Sequence, residues 1–115
     1  MTTTGANIVR PDDPRVPSLS VVIPAYNSAR TIERCLAALR AQHGDAAFEV
    51  IVVDSGTDGT ADLARRAMPE ARVIRLPTRA VAAAARNAGA RAARAEVFAF
   101  IDSDAYADPA WVRSA

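Results

Sequence analysis

Leu19-Ser20-Val21-Val22-Ile23-Pro24 and Phe48-Glu49-Val50-Ile51-Val52-Val53-Asp54 are the stretches on which the fold turns. Each is a short, β-branched and almost continuously apolar run. That pattern belongs to a strand buried on both faces, as in a parallel sheet. Pro24 is expected to stop the first run and Asp54 to end the second. Between them, Ala29 to Gln42 carries Ile32, Cys35, Leu36 and Leu39 at i, i+3, i+4 and i+7, which is one face of an amphipathic helix. Asn27 and Ser28 are its candidate N-caps, and Gly44 is its stop.

The same cycle continues outward. Thr57 or Asp58 caps a short helix through Ala67, acidic at its start (Asp58, Asp62) and basic near its end (Arg65, Arg66), as the helix dipole favours. Pro69 closes it. Arg72 to Leu76 reads as a weaker strand, and the alanine-rich segment Ala80 to Arg94 as a helix by propensity. Glu96 to Ile101 is a fourth strand, running into Asp102-Ser103-Asp104. Pro109 and Trp111 open a last helix. Residues 1–17, with Pro11, Pro14 and Pro17 among polar neighbours, read as a flexible lead-in, and 18–115 as the folded part. The series predicts an α/β fold: a Rossmann-like, doubly wound, mostly parallel sheet of four strands with flanking helices.

Composition narrows the chemistry. Half of the 115 residues are hydrophobic and the net charge is +1, so nothing favours nucleic acid or an anionic membrane as a partner. All 14 basic residues are arginine, which excludes lysine chemistry such as a Schiff base or a Walker-type phosphate lysine. One cysteine and one histidine, Cys35 and His43, cannot build a cysteine- or histidine-rich metal site. No run approaches the ~20 apolar residues of a membrane span, and a cytoplasmic location is expected. The work falls to carboxylates, hydroxyls, amides and arginines.

In an open α/β sheet, ligands bind beyond the carboxyl ends of the strands. Polar residues gather at that rim: Pro24-Ala25-Tyr26-Asn27 after the first strand, Asp54-Ser55-Gly56 after the second, Asp102-Ser103-Asp104 after the fourth. Asp102 and Asp104, at i and i+2, can turn two hard carboxylates toward one divalent cation, Mg²⁺ or Mn²⁺. The same residues also suit a polar turn capping the next helix. Tyr26 offers a flat face for a base, or a ring packed on its helix. Asp54 can accept from a base or ribose, or cap the helix that follows. Arg86 and Asn87 lie level with the rim, where a guanidinium meets a phosphate or simply faces water. Cys35 reads as a small core hydrophobe.

SVVIPAYN (20–27), FEVIVVDSGTDGT (48–60) and ARNAGARAARAEVFAFIDSDA (85–105) resemble, in order and spacing, the amino-terminal half of family-2 glycosyltransferases with the GT-A fold. The likeness runs from about Ser18 to Trp111. It implies that Pro24, Ala25 and Tyr26 contact the nucleotide base, that Asp54 holds base or ribose, and that Arg86 and Asn87 lie near ribose and phosphate. It implies further that Asp104, with Asp102 beside it near the ribose, holds a divalent metal, Mn or Mg, at the diphosphate. The implied reaction is inverting transfer from a nucleotide sugar, a UDP-sugar first among them, to an acceptor hydroxyl.

Departures from the family pattern are Ser55 in place of a second acidic residue, a loop to Thr57 one residue short, and Ala80 and Ala95 where glycine is common. By family position the general base is expected beyond Ala115, so these residues hold the donor site alone and are expected to be inactive by themselves. Self-association through an uncovered edge of the fourth strand is expected as well. Two other classes stay open: a non-catalytic α/β module for protein–protein association, and another metal-dependent nucleotide-processing enzyme.

Overall fold

Seven consecutive register pairs, from Leu19↔Phe48 to Ala25↔Asp54, join the two apolar runs in parallel. A computed structural model describes residues 6–105 and 107–114. The paired runs are β2 (Leu19–Ala25) and β3 (Ala47–Asp54), and β1 (Asn7–Ile8) pairs with the start of β3. β4 (Arg72–Arg75) lies against the end of β3, and β5 (Phe98–Phe100) pairs with β2 on its other side. All four pairings are parallel, as the apolar runs imply.

The connecting helices are α1 (Ile32–Arg40), α2 (Thr60–Ala67) and α3 (Ala82–Ala92), with α4 (Trp111–Ser114) after β5. Period-two alternation in β2 and β3 feeds two separate cores. Val21, Ile23, Val50 and Val52 pack with Ile32, Cys35, Leu36 and Leu39 of α1 and with Ala64 and Met68 of the α2 segment. Val22, Ile51 and Val53 face the other way, onto Ala85 of α3. The sheet is thus doubly wound, and the helical face read from the sequence is the one buried. From β2 the chain steps to β3 and β4 in one direction. α3 then carries it back across the sheet to β5, so the winding reverses between β2 and β5.

The sheet has five strands rather than four, and the helix caps fall on Thr31 and Gly59 rather than on Asn27 or Ser28 and Thr57 or Asp58. Three further expectations need correction. β2 does not stop at Pro24 but continues through Ala25. Ser20 N donates to Val97 O and Ile101 N to Val22 O, so even-numbered residues of β2 face β5. Pro24 therefore lacks a donor only on the side where β5 has already ended, a position a proline tolerates. The fourth strand is shorter than Glu96–Ile101, and Phe98 and Phe100 stay 43% and 45% exposed.

The lead-in is the third. Residues 1–5 lie outside the described residues, but Asn7 and Ile8 are in the sheet and Val9 is buried. Arg94 anchors this segment from the far end of α3 by donating to Arg10 O at 2.8 Å and Asp13 O at 2.5 Å. Its guanidinium also meets buried Glu49, which accepts from Ser20 Oγ at 2.5 Å and Arg94 N at 2.6 Å. A buried carboxylate is tolerable here because its oxygens are supplied with donors.

α3 can lie close to the sheet because its contact face is alanine and glycine. A Cβ on Gly89 would fall on Val22 Cγ1. Helix propensity alone makes Gly89→Ala stabilising by up to about 1 kcal/mol. Overpacking against a sheet with no slack costs roughly 1–3 kcal/mol, and it wins. Urea denaturation is expected to show Gly89→Ala less stable than the parent; a higher midpoint refutes the close packing.

Candidate functional site

The reversal between β2 and β5 opens a crevice at the carboxyl rim, where an open α/β sheet binds ligands. The cleft there measures about 1210 Å³. Pro24, Ala25 and Tyr26 reach it from the end of β2, Arg86 from α3, and Asp102 and Asp104 from the turn after β5. Six of the residues singled out in the sequence are therefore brought together. Asp54 and Asn87 are not among the lining residues.

Asp54 is fully buried. Its Oδ1 accepts from Gly56 N at 2.9 Å, and its Oδ2 from Ala61 N at 3.2 Å and from the Arg75 guanidinium at 2.9 Å. Arg75 also donates to Gly56 O at 2.8 Å. The carboxylate thus orders the loop after β3 and supplies a cap to α2, whose own N-cap residue, Gly59, has no side chain to do so. Asn87 is exposed on α3.

The loops after β2 and β3 are built as one unit. Asn27 adopts a left-handed backbone with φ of 49°, which asparagine tolerates better than most residues. Its Oδ1 accepts from Thr57 N at 2.8 Å. A Cβ on Gly56 would come within 2.5 Å of Asn27 N and Oδ1, so the contact requires glycine. Ser28 N donates to Thr60 Oγ1 at 2.9 Å and Ala29 N to Asp58 Oδ2 at 3.0 Å. The Thr60 hydroxyl holds the Asp58 carboxyl below its ordinary pKa, keeping this acceptor ionised. The result is a fixed floor beside Tyr26, a residue that is 42% exposed.

The Asp102-Ser103-Asp104 turn is gripped from behind. Ser103 Oγ and Ser28 Oγ are 2.6 Å apart, and Cys35 Sγ donates to Asp102 O at 3.7 Å. With its middle side chain and backbone held, the turn presents two exposed carboxylates to the cleft. Among the described residues no group of three or more His, Cys, Asp or Glu converges. The donor set is two hard oxygen groups, which fits a Mg²⁺- or Mn²⁺-like cation completed by phosphate and water rather than an all-protein cage. Burial, followed by the charges of Asp104 and Asp102, pushes the Cys35 thiol up to about 11. A thiol is in any case a soft donor, poorly matched to such a cation.

Residue-by-residue reading of the sequence missed the other cations of the cleft. Arg79 lies 4.3 Å from the centroid of the Tyr26 ring, a cation–π contact. Arg86, which the sequence did single out, lies 5.9 Å from the Phe100 centroid. Arg30 and Arg34 line the cleft from the α1 side. The available signal was their place in the strand-to-helix connections at the rim, or one turn into the helix.

Comparison with known proteins agrees with this fold. The family model described as glycosyl transferase family 2 matches residues 20–115. Glycosyltransferase AglE of Haloferax volcanii is 34% identical over 102 residues, covering 84% of this chain and 34% of that protein. The solved structure of Staphylococcus aureus TarS 1–349 superposes with a TM-score of 0.78 at 30% identity, over 84% of this chain and 30% of that one. The mannosyltransferase PcManGT from Pyrobaculum calidifontis, in complex with GDP-Man and Mn²⁺, gives 0.68 at 33% identity, over 85% and 30%. The chain spans about a third or less of the length of the relatives it matches.

The thiol behind the acidic turn reports on this geometry. Only thiolate attacks disulfide reagents, and moving the pKa from 9.0 to about 11 cuts its population at pH 8 about 100-fold. Native protein is expected to react with such a reagent at least ~100-fold more slowly than urea-unfolded protein. Asp102→Asn/Asp104→Asn should recover only part of the difference, because burial is the larger cause. Equal native and unfolded rates contradict the packing of Cys35 behind the turn.

Proposed function

The chain belongs to glycosyl transferase family 2, and from that premise we propose that it forms the nucleotide-sugar site of an inverting, metal-dependent glycosyltransferase. The observation that carries the reading is the convergence of Pro24, Ala25, Tyr26, Arg86, Asp102 and Asp104 on one cleft at the winding reversal. A neighbour of the same fold bound to GDP-Man and Mn²⁺ supports the ligand class.

In this reading the Tyr26 ring supports the base by stacking, on the floor made by Asn27 and Gly56. Asp54 and Arg75 keep that floor in place, so Asp54 acts on the base through the loop. Arg86 meets the diphosphate, with Asn87 beside it at the cleft margin. Asp102 and Asp104 would hold Mg²⁺ or Mn²⁺, Asp102 also lying near the ribose. A cation held there would supply charge neutralisation at the departing nucleoside diphosphate. The donor is a nucleotide sugar, a UDP-sugar by preference, and the sugar passes to an acceptor hydroxyl. Among the described residues, no helix is long and apolar enough to cross a membrane.

Calorimetry with UDP-, GDP- and dTDP-sugars, with and without Mn²⁺, tests this assignment. At least one nucleotide should bind in a Mn²⁺-dependent manner. Asp104→Ala should weaken that binding at least ~10-fold, about 1.4 kcal/mol. Binding indifferent to both the metal and Asp104→Ala overturns it.

A further inference from the structure

A pair of hydroxyls joins the turn that carries the two aspartates to the turn that carries Tyr26. Ala105 N donates to Asp102 O at 3.0 Å and closes a four-residue turn with Ser103 and Asp104 at its corner. Ser103 Oγ lies 2.6 Å from Ser28 Oγ, across 75 positions of sequence. Ser28 is buried, at 7% exposure, and its hydroxyl also reaches Tyr26 O at 3.4 Å. A hydroxyl has one proton to donate. With that of Ser28 directed at Tyr26 O, Ser103 is the donor of the short bond, and the order runs from Ser103 to Ser28 to Tyr26.

Ser28 is itself fixed from the opposite side. Its N–H donates to Thr60 Oγ1 at 2.9 Å, and the buried Thr60 hydroxyl donates to Asp58 Oδ1 at 2.5 Å. Its carbonyl accepts from Thr31 N and Ile32 N, at 3.0 and 2.9 Å, where α1 begins. The Ser28 hydroxyl is therefore a fixed post against which the acidic turn rests.

Two carboxylates on one short turn repel each other. A hydrogen bond to the residue between them holds the turn against that repulsion and fixes its place relative to Tyr26, two residues from Ser28. This step rests on the nucleotide-sugar reading, in which Tyr26 supports the base and the aspartates hold the cation, with the diphosphate between them. The span from ring to cation then decides how many phosphates fit.

We propose that the Ser28–Ser103 hydroxyl pair is the positioning element of the site. It registers Asp102 and Asp104 against the Tyr26 ring, so that the cation meets a diphosphate in preference to a single phosphate. Both serines act through the residues they hold.

The test compares UDP with UMP by calorimetry in saturating Mn²⁺. The parent chain should bind UDP at least ~10-fold tighter than UMP. A neutral hydrogen bond is worth a factor of about 5, so Ser28→Ala and Ser103→Ala should each lower that ratio about 5-fold. UMP affinity should stay within about 2-fold of the parent. The double variant should match the single ones, because all three lose the same bond. Ser103→Thr keeps a hydroxyl and should restore the ratio. Circular dichroism reports the fold; if Ser28→Ala does not fold, the contrast of Ser103→Ala with Ser103→Thr decides. A parent without preference for UDP, or a ratio unchanged in the variants, overturns the proposal. So do equal losses of UDP and UMP, which mark general damage, and losses that add in the double variant. If neither nucleotide binds the parent, the donor reading falls separately. Mn²⁺ affinity alone, followed by electron paramagnetic resonance, then tests the hydroxyl pair: Mn²⁺ bound no better by the parent than by Ser103→Ala overturns it.

Discussion

The parallel pairing of β2 with β3 is the constraint from which the other features follow. Both strands are largely buried, and their large apolar residues divide between two cores. Because the strands run in parallel, their carboxyl ends emerge side by side at Ala25 and Asp54. That places the turn carrying Tyr26 next to the loop carrying Gly56, close enough that Asn27 N and Oδ1 occupy the space of a side chain on Gly56. The site floor is a direct extension of the strand register. A shift of one residue would exchange the two cores as well as separate the loops.

Charge is handled differently at the two ends of the sheet. At the amino ends, Glu49 and Arg94 are sequestered and supplied with partners, tying α3, β2 and the amino-terminal segment together. At the carboxyl ends, Asp102 and Asp104 are exposed while their backbone and the intervening serine are held. One end spends its charges on internal bonds, and the other leaves them exposed at the cleft. Asp54 sits between these regimes: a rim residue by position, it is internal by partnership, because Arg75 from β4 reaches it.

Much of this was legible from residue order. The 3.6-residue spacing of Ile32, Cys35, Leu36 and Leu39 identifies the buried face of α1 without reference to anything else in the chain. The apolar runs at 19–23 and 48–53 identify a parallel sheet, and the strand ends identify the rim. The exceptions are informative. Pro24 reads as a strand stop, and it is one only with respect to β5, whose end no local pattern reveals. The proline-containing lead-in reads as loose, yet Val9 is buried and its N–H donates to Phe48 O of β3, a partner far away in sequence.

For the site, the sequence by itself determined which residue types meet at the rim: an aromatic ring, paired carboxylates at i and i+2, and arginines in place of lysines. Those are local properties, set by spacing and by strand ends. Only the tertiary structure decided which are free to meet a ligand. The stack of Arg79 on Tyr26 and the ion pair of buried Asp54 with Arg75 are contacts between segments joined only through the sheet, and the same fold gathers Arg30, Arg34 and Arg86 around one cleft. Their energies depend on distance and desolvation across the fold, and neither quantity exists until the two cores have closed on the sheet.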